Sequence, residues 1–118
     1  MYCAGAYSAD NILDIFQNMR IGISTATRLF ANGFSPFCPW IDYHYLLSLP
    51  KESVEMQMFY RYSLDYLRVC HAMLIVHNPN NEKSEGLAQE IVLAKSWGVK
   101  VFEDYDKLIE WGTTPEAL

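Results

Sequence analysis

Ser84, Gly86 and Glu90, within Ser84-Glu85-Gly86-Leu87-Ala88-Gln89-Glu90, form the pattern with the most chemical content in the chain. The segment follows an apolar, strand-like run from His71 to Val76 and opens an amphipathic helix that ends near Gly98. A serine at such a junction caps the helix, and the free amides of the first turn can hold an anion. Gly86 costs roughly 1 kcal/mol against alanine inside a helix, which suggests close approach of a ligand or of backbone. Glu90 falls about 60° from Leu87 and about 40° from Ala94 around the helix, on the shoulder of the buried stripe. Glu85 and Gln89 fall on the solvated side. A shoulder carboxylate at the mouth of a crevice is partly desolvated yet can reach a ligand, as a catalytic carboxylate must. The plainer reading is a helix-edge glutamate paired with a lysine or tyrosine, beside a serine that only caps.

Tyr7 leaves the first strand directly after Gly5 and Ala6. Its phenol can hydrogen-bond a carboxylate across a crevice and fix its rotamer, or simply cover the core with the hydroxyl in water. Trp40, Tyr43, His44 and Tyr45 read either as a stacking wall for a base or as a lid over a sheet edge.

Four short apolar runs alternate with helical patterns and would position these groups. Tyr2-Cys3-Ala4 predicts a buried strand, stopped at Gly5. Ser8 or Asp10 can cap a helix whose face is Ile12, Ile15, Phe16, Met19, Ile23, Ala26 and Phe30, ended by Asn32-Gly33. Phe34 to Phe37 predicts a second strand, which Pro36 and Pro39 push towards an edge. A helix follows from about Ser53 to Val69, with Met56, Phe59, Tyr60, Ser63 and Leu67 on one side. His71 to Val76 predicts a central parallel strand, and Asn78-Pro79-Asn80-Asn81 is turn chemistry. Leu87, Ile91, Ala94 and Trp97 line the Ser84 helix. Val99 to Phe102 predicts a last strand, and Asp106 to Trp111 a helical turn.

Such alternation implies an α/β domain, three-layered and Rossmann- or flavodoxin-like, around a mainly parallel sheet of four to five strands. Ligands of such sheets bind beyond the carboxyl ends of the strands, where strand order reverses. If the first and third predicted strands are neighbours, Gly5-Ala6-Tyr7 and Asn78 to Gly86 face one crevice. One domain is expected over residues 1–112, with a frayed tail over 113–118.

With 118 residues, 51% of them hydrophobic, the chain has the mass for one core. A net charge of −5 gives no footprint for duplex nucleic acid. The chain shows neither a membrane-spanning run nor a signal or lipidation motif. Cys3, Cys38 and Cys70 sit beside apolar residues in odd number, as reduced thiols of a cytoplasmic protein would. His44, His71 and His77 are scattered, and no metal-ligand spacing occurs.

At this point the residues resemble a known family, the nucleoside 2-deoxyribosyltransferase-like superfamily, and within it a small bacterial and phage branch. Tyr2 to Tyr7 is similar to the family's strand ending in Gly-x-Tyr, and Gly33 to Pro39 to its second strand. Ser84-Glu85-Gly86 through Glu90, then Ala94 and Gly98-Val99-Lys100-Val101, is similar to the family's Ser-x-Gly-x-x-x-Glu helix and following strand. The resemblance implies that Glu90 attacks C1′ of a (deoxy)nucleoside or its 5′-monophosphate and releases the base. Water or another base then resolves the glycosyl ester, in the manner of retaining glycosidases. It implies further that Tyr7 orients Glu90 and that Ser84 with the helix amides holds the 5′-phosphate. The expected substrate contacts are Gly5, Ala6, Ser63, Ser84, Gly86, Trp40 and His44, with no metal or other cofactor. Relatives assemble into dimers or larger homo-oligomers, and the aromatic residues between Trp40 and Tyr62 would suit such an interface.

The pattern departs at Ser63 and His71, which stand where family members commonly carry aspartates. Asp65 lies about 200° round a helix from Ser63 and is no simple substitute. The departure opens a second reading, a non-catalytic nucleotide-binding module of the same fold, and a third in which Glu90 is merely structural.

Overall fold

Alternation of side-chain direction along three short strands organises the molecule, which a computed structural model describes over residues 1–113, apart from the side chain of Tyr43. Strands β1 (Tyr2–Ala4), β2 (Ala72–Ile75) and β3 (Lys100–Phe102) form a parallel sheet in the order β1-β2-β3. Tyr2 is in register with Met73 and Ala4 with Ile75, while Met73 also pairs with Val101. Because neighbours along a strand point to opposite faces, Cys3, Ala72, Leu74 and Val76 join one core, and Tyr2, Ala4 and Met73 the other.

Helices cover both faces. The first core takes Met19, Ala26 and Leu29 of α1 (Ile12–Ala31) and Leu108 of α4 (Tyr105–Gly112). The second takes Leu67 of α2 (Met56–Val69) and Leu87 and Ala94 of α3 (Glu85–Ser96). Short 3₁₀ segments at Pro39–Leu47, Lys51–Ser53 and Pro79–Lys83 complete the connections. Gly33 and Gly98 follow α1 and α3 at φ +88° and +77°, the left-handed conformation that ends a helix cheaply only at glycine.

The sheet is smaller than the four to five strands expected. Phe34 to Phe37 contributes one parallel bridge, Phe37 to Tyr2. Cys3 N–H donates to the Phe37 carbonyl at 3.0 Å and Phe37 N–H to Met1 at 2.6 Å. Pro36 and Pro39 flank that bridge and cannot donate, so the ladder stops there.

The face of α1 is also rotated from the expected one. Ile12, Phe16 and Phe30 are exposed, whereas Asn18 and Gly22 are buried. Asn18 can be buried because its amide makes three hydrogen bonds, described below. Gly22 is there because the Trp40 ring lies against it: a Cβ would sit inside the indole. The α1 cap is Asn11, whose side chain accepts from Asp14 N–H, rather than Ser8 or Asp10. Helix α2 begins at Met56, three residues after the expected start, and Met56 itself is exposed. The expected tail lies outside the described residues beyond Thr113. Among the described residues no helix is long and apolar enough to cross a membrane.

Candidate functional site

β1 and β2 are adjacent, and the chain leaves their carboxyl ends towards opposite edges of the sheet. From β1 the chain returns through α1 to the Phe37 edge, and from β2 it crosses through α3 to β3 on the other side. The order therefore reverses between β1 and β2, where an open α/β sheet leaves a crevice. A cleft of about 750 Å³ lies there, lined among others by Gly5, Tyr7, Asp42, Ser63, Ser84 and Glu90.

Amide side chains hold the mouth of this cleft. Asn81 Oδ1 accepts the Ala6 N–H at 2.9 Å and its Nδ2 donates to the Val76 carbonyl at 2.8 Å, tying the two strand ends together. Asn18 donates to the Tyr7 carbonyl at 3.1 Å and accepts from Asn78 and Asn80 at 2.9 and 3.2 Å. Trp40 Nε1 donates to the Ala6 carbonyl at 3.0 Å. These bonds consume both backbone groups of Ala6, which is buried; its assigned role as a substrate contact gives way to a structural one. Trp40 lines the cleft but is only 2% exposed, so it is a core residue under the site rather than a stacking wall.

Glu90 rises from the second turn of α3. Ser84 caps that helix, its Oγ accepting from Leu87 N–H at 3.2 Å. Leu87 and Ala94, which lie about 60° and 40° from Glu90 on the same side of the helix, are buried in the core. This arrangement pulls the Glu90 carboxylate inwards: its Oε2 is fully covered and makes no hydrogen bond. The Tyr2 hydroxyl, also buried without a hydrogen bond, is its neighbour from β1, with Ser63 of α2 beside it. Burial raises the Glu90 carboxyl to about 7, and Tyr2 only partly offsets this. Burial, then the Glu90 charge, pushes the Tyr2 phenol far above its ordinary value. Tyr60 is raised for the same two reasons in the same order, and its hydroxyl donates to Gln89 at 2.7 Å.

Tyr7 has a different carboxylate from the one expected. Its hydroxyl donates to Asp42 Oδ1 at 3.1 Å, while the phenol beside Glu90 is that of Tyr2. Asp42 stands on the Pro39–Leu47 segment and is held above the ordinary aspartate range by burial, against the pull of the Tyr7 bond. His44 is exposed, with Nδ1 at 2.7 Å from the Ile41 carbonyl, and does not line the cleft. His71 lies before β2, at the far end of that strand from the cleft, in a smaller hollow with Met1, Phe34 and Trp111.

Gly86 is not required by the fold. A Cβ there would meet nothing within 4 Å, so the space above it is open to the cleft it lines. The cleft wall carries Asp10, Asp14, Asp42, Glu85 and Glu90 against a single cation, Lys83. Among the described residues no group of three or more His, Cys, Asp or Glu is placed to hold a metal ion.

Tyr2 and Asp42 were not apparent from sequence. Tyr2 reads as one more apolar strand residue, although its alternation with Cys3 puts it on the α3 side. Asp42 is the one acid between Cys38 and Pro50, which is the signal that could have found it. No family model matches the chain, and no curated protein matches it.

Proposed function

We propose that the protein cleaves the N-glycosidic bond of a 2′-deoxynucleoside, as a hydrolase or deoxyribosyltransferase, with Glu90 as nucleophile. The observation that carries this is the Glu90 carboxylate: an oxygen covered, without a hydrogen bond and beside the Tyr2 phenol, on a side chain that lines a cleft at the strand-order reversal. Burying such an atom unpaired costs stability, and unpaired buried groups of this kind collect where chemistry is done. A Rossmann-like architecture and membership of the deoxyribosyltransferase-like superfamily are parts of the same proposal. The parallel sheet and the motif from Ser84 to Glu90 support them.

In this reading the ionised Glu90 attacks C1′, the bond to the base breaks with its electron pair on the base, and a glycosyl ester forms. Water or a second base then attacks C1′ and returns the carboxylate. The Tyr2 hydroxyl stands beside the carboxylate, with Ser63 next to Tyr2. A neutral nucleoside is favoured over its monophosphate, because five acids and one lysine line the cleft and would repel a dianion. Ser84 then serves chiefly as the cap. The test is release of free base from deoxynucleosides: wild-type protein should release it and Glu90→Ala should not. Equal release by both would overturn the proposal.

The second reading, a non-catalytic nucleotide-binding module, draws on Ser63 and His71 where acids are expected. It predicts a raised melting temperature with nucleotides and no base release. The proposal also includes a homo-oligomer, supported by exposed Leu46, Leu47 and Met56, two of which, Leu46 and Met56, line the cleft.

A further inference from the structure

Departure of a nucleobase needs a proton as well as a nucleophile, since an unprotonated base anion is a poor leaving group. The cleft holds a second carboxyl group suited to supply it. Asp42 lines the same cleft as Glu90 but comes from a separate element, the Pro39–Leu47 segment. Its Oδ1 accepts from the Tyr7 hydroxyl at 3.1 Å, which holds the carboxyl group in the cleft wall. Tyr7 is itself fixed, because its carbonyl accepts from buried Asn18 and the preceding Ala6 is clamped by Asn81 and Trp40. The Asp42 carboxyl is therefore hydrogen-bonded to a residue whose backbone is itself tied down.

We propose that Asp42 is the acid–base partner of Glu90, filling from the 3₁₀ segment the role that Ser63 cannot. This inference rests on the proposed glycosidic reaction. In the first step Glu90 forms its bond to C1′, the C1′–N bond breaks towards the base, and the Asp42 proton moves to that base. In the second, water attacks C1′, its proton passes to the Asp42 carboxylate, and the ester bond to Glu90 breaks. Free base and 2-deoxyribose leave, and both carboxyl groups return to their starting states. Burial holds Asp42 above the ordinary range, which favours the protonated form that the first step uses.

The experiment compares a 2′-deoxynucleoside, which needs the proton, with 4-nitrophenyl 2-deoxyriboside, whose leaving group departs as a stable anion. Asp42→Asn should lose about a hundredfold or more in kcat/KM on the nucleoside and stay within a few-fold of wild type in kcat/KM on the nitrophenyl compound, because that ratio reports the first step alone. That retained turnover also reports a folded protein. Equal loss on both substrates, or loss on neither, overturns the role of Asp42 while leaving Glu90 untouched. Failure of the wild type on both substrates overturns the glycosidic reading itself, and this proposal with it.

Discussion

Glu90 is a helix residue whose neighbours, rather than its own chemistry, decide its proton affinity. Its carboxyl titrates at about 7 instead of 4.5 because burial penalises the charge more than Tyr2 relieves it. Between those two values the native state holds a proton that the unfolded chain has released. Stability therefore falls as pH rises through the window and levels off above it. The Glu90→Gln protein lacks this term. Urea melts should show it matching wild type near pH 4.5 and exceeding it at pH 8 by up to about 3 kcal/mol. A difference that does not change with pH would mean that the carboxylate is solvated. At this scale the sequence was informative about Glu90 and Ser84, because helical periodicity sets both positions. It was silent on the partners. Tyr2 meets Glu90 through strand pairing and Asp42 reaches the cleft through the 3₁₀ turn, and no local pattern encodes either.

Helices α1 and α3 were legible from periodicity and punctuation: Asn32-Gly33 and Gly98 end helices where left-handed backbone is needed. The rotation of α1 was not. Periodicity counts apolar residues, and here a polar Asn18 and a bare Gly22 occupy the buried line while Phe16 faces outwards. Asn78-Pro79-Asn80-Asn81 reads as a turn, yet its amides bind β1 to β2 as well. Asn81→Ala leaves Ala6 N–H and the Val76 carbonyl unpaired in a half-buried place. It should cost about 1–3 kcal/mol in a denaturant melt and loosen the cleft mouth. A change below a few tenths of a kcal/mol would show that water replaces the amide without loss.

For the molecule as a whole, parallel order and helices on both faces follow from the alternation of strand and helix patterns. Sheet size does not follow, because a run such as Phe34 to Phe37 is read as a strand whether or not its prolines let it pair. Apolar exposure at Leu47 and Met56, 77% and 74%, is costly on an isolated chain. Sedimentation should give a species of at least twice the 13.6 kDa chain mass, reduced to one chain by Leu47→Asp. A single-chain mass at every concentration would contradict self-association. The central claim concerns one bond, between a Glu90 oxygen and an anomeric carbon. Its most direct measurement is mass spectrometry of protein quenched during turnover of a slow, 2-fluorinated deoxynucleoside. The account predicts a mass gain of one sugar, mapped to the peptide containing Glu90 and missing in Glu90→Gln. Base release with no adduct, or an adduct on another residue, would contradict it.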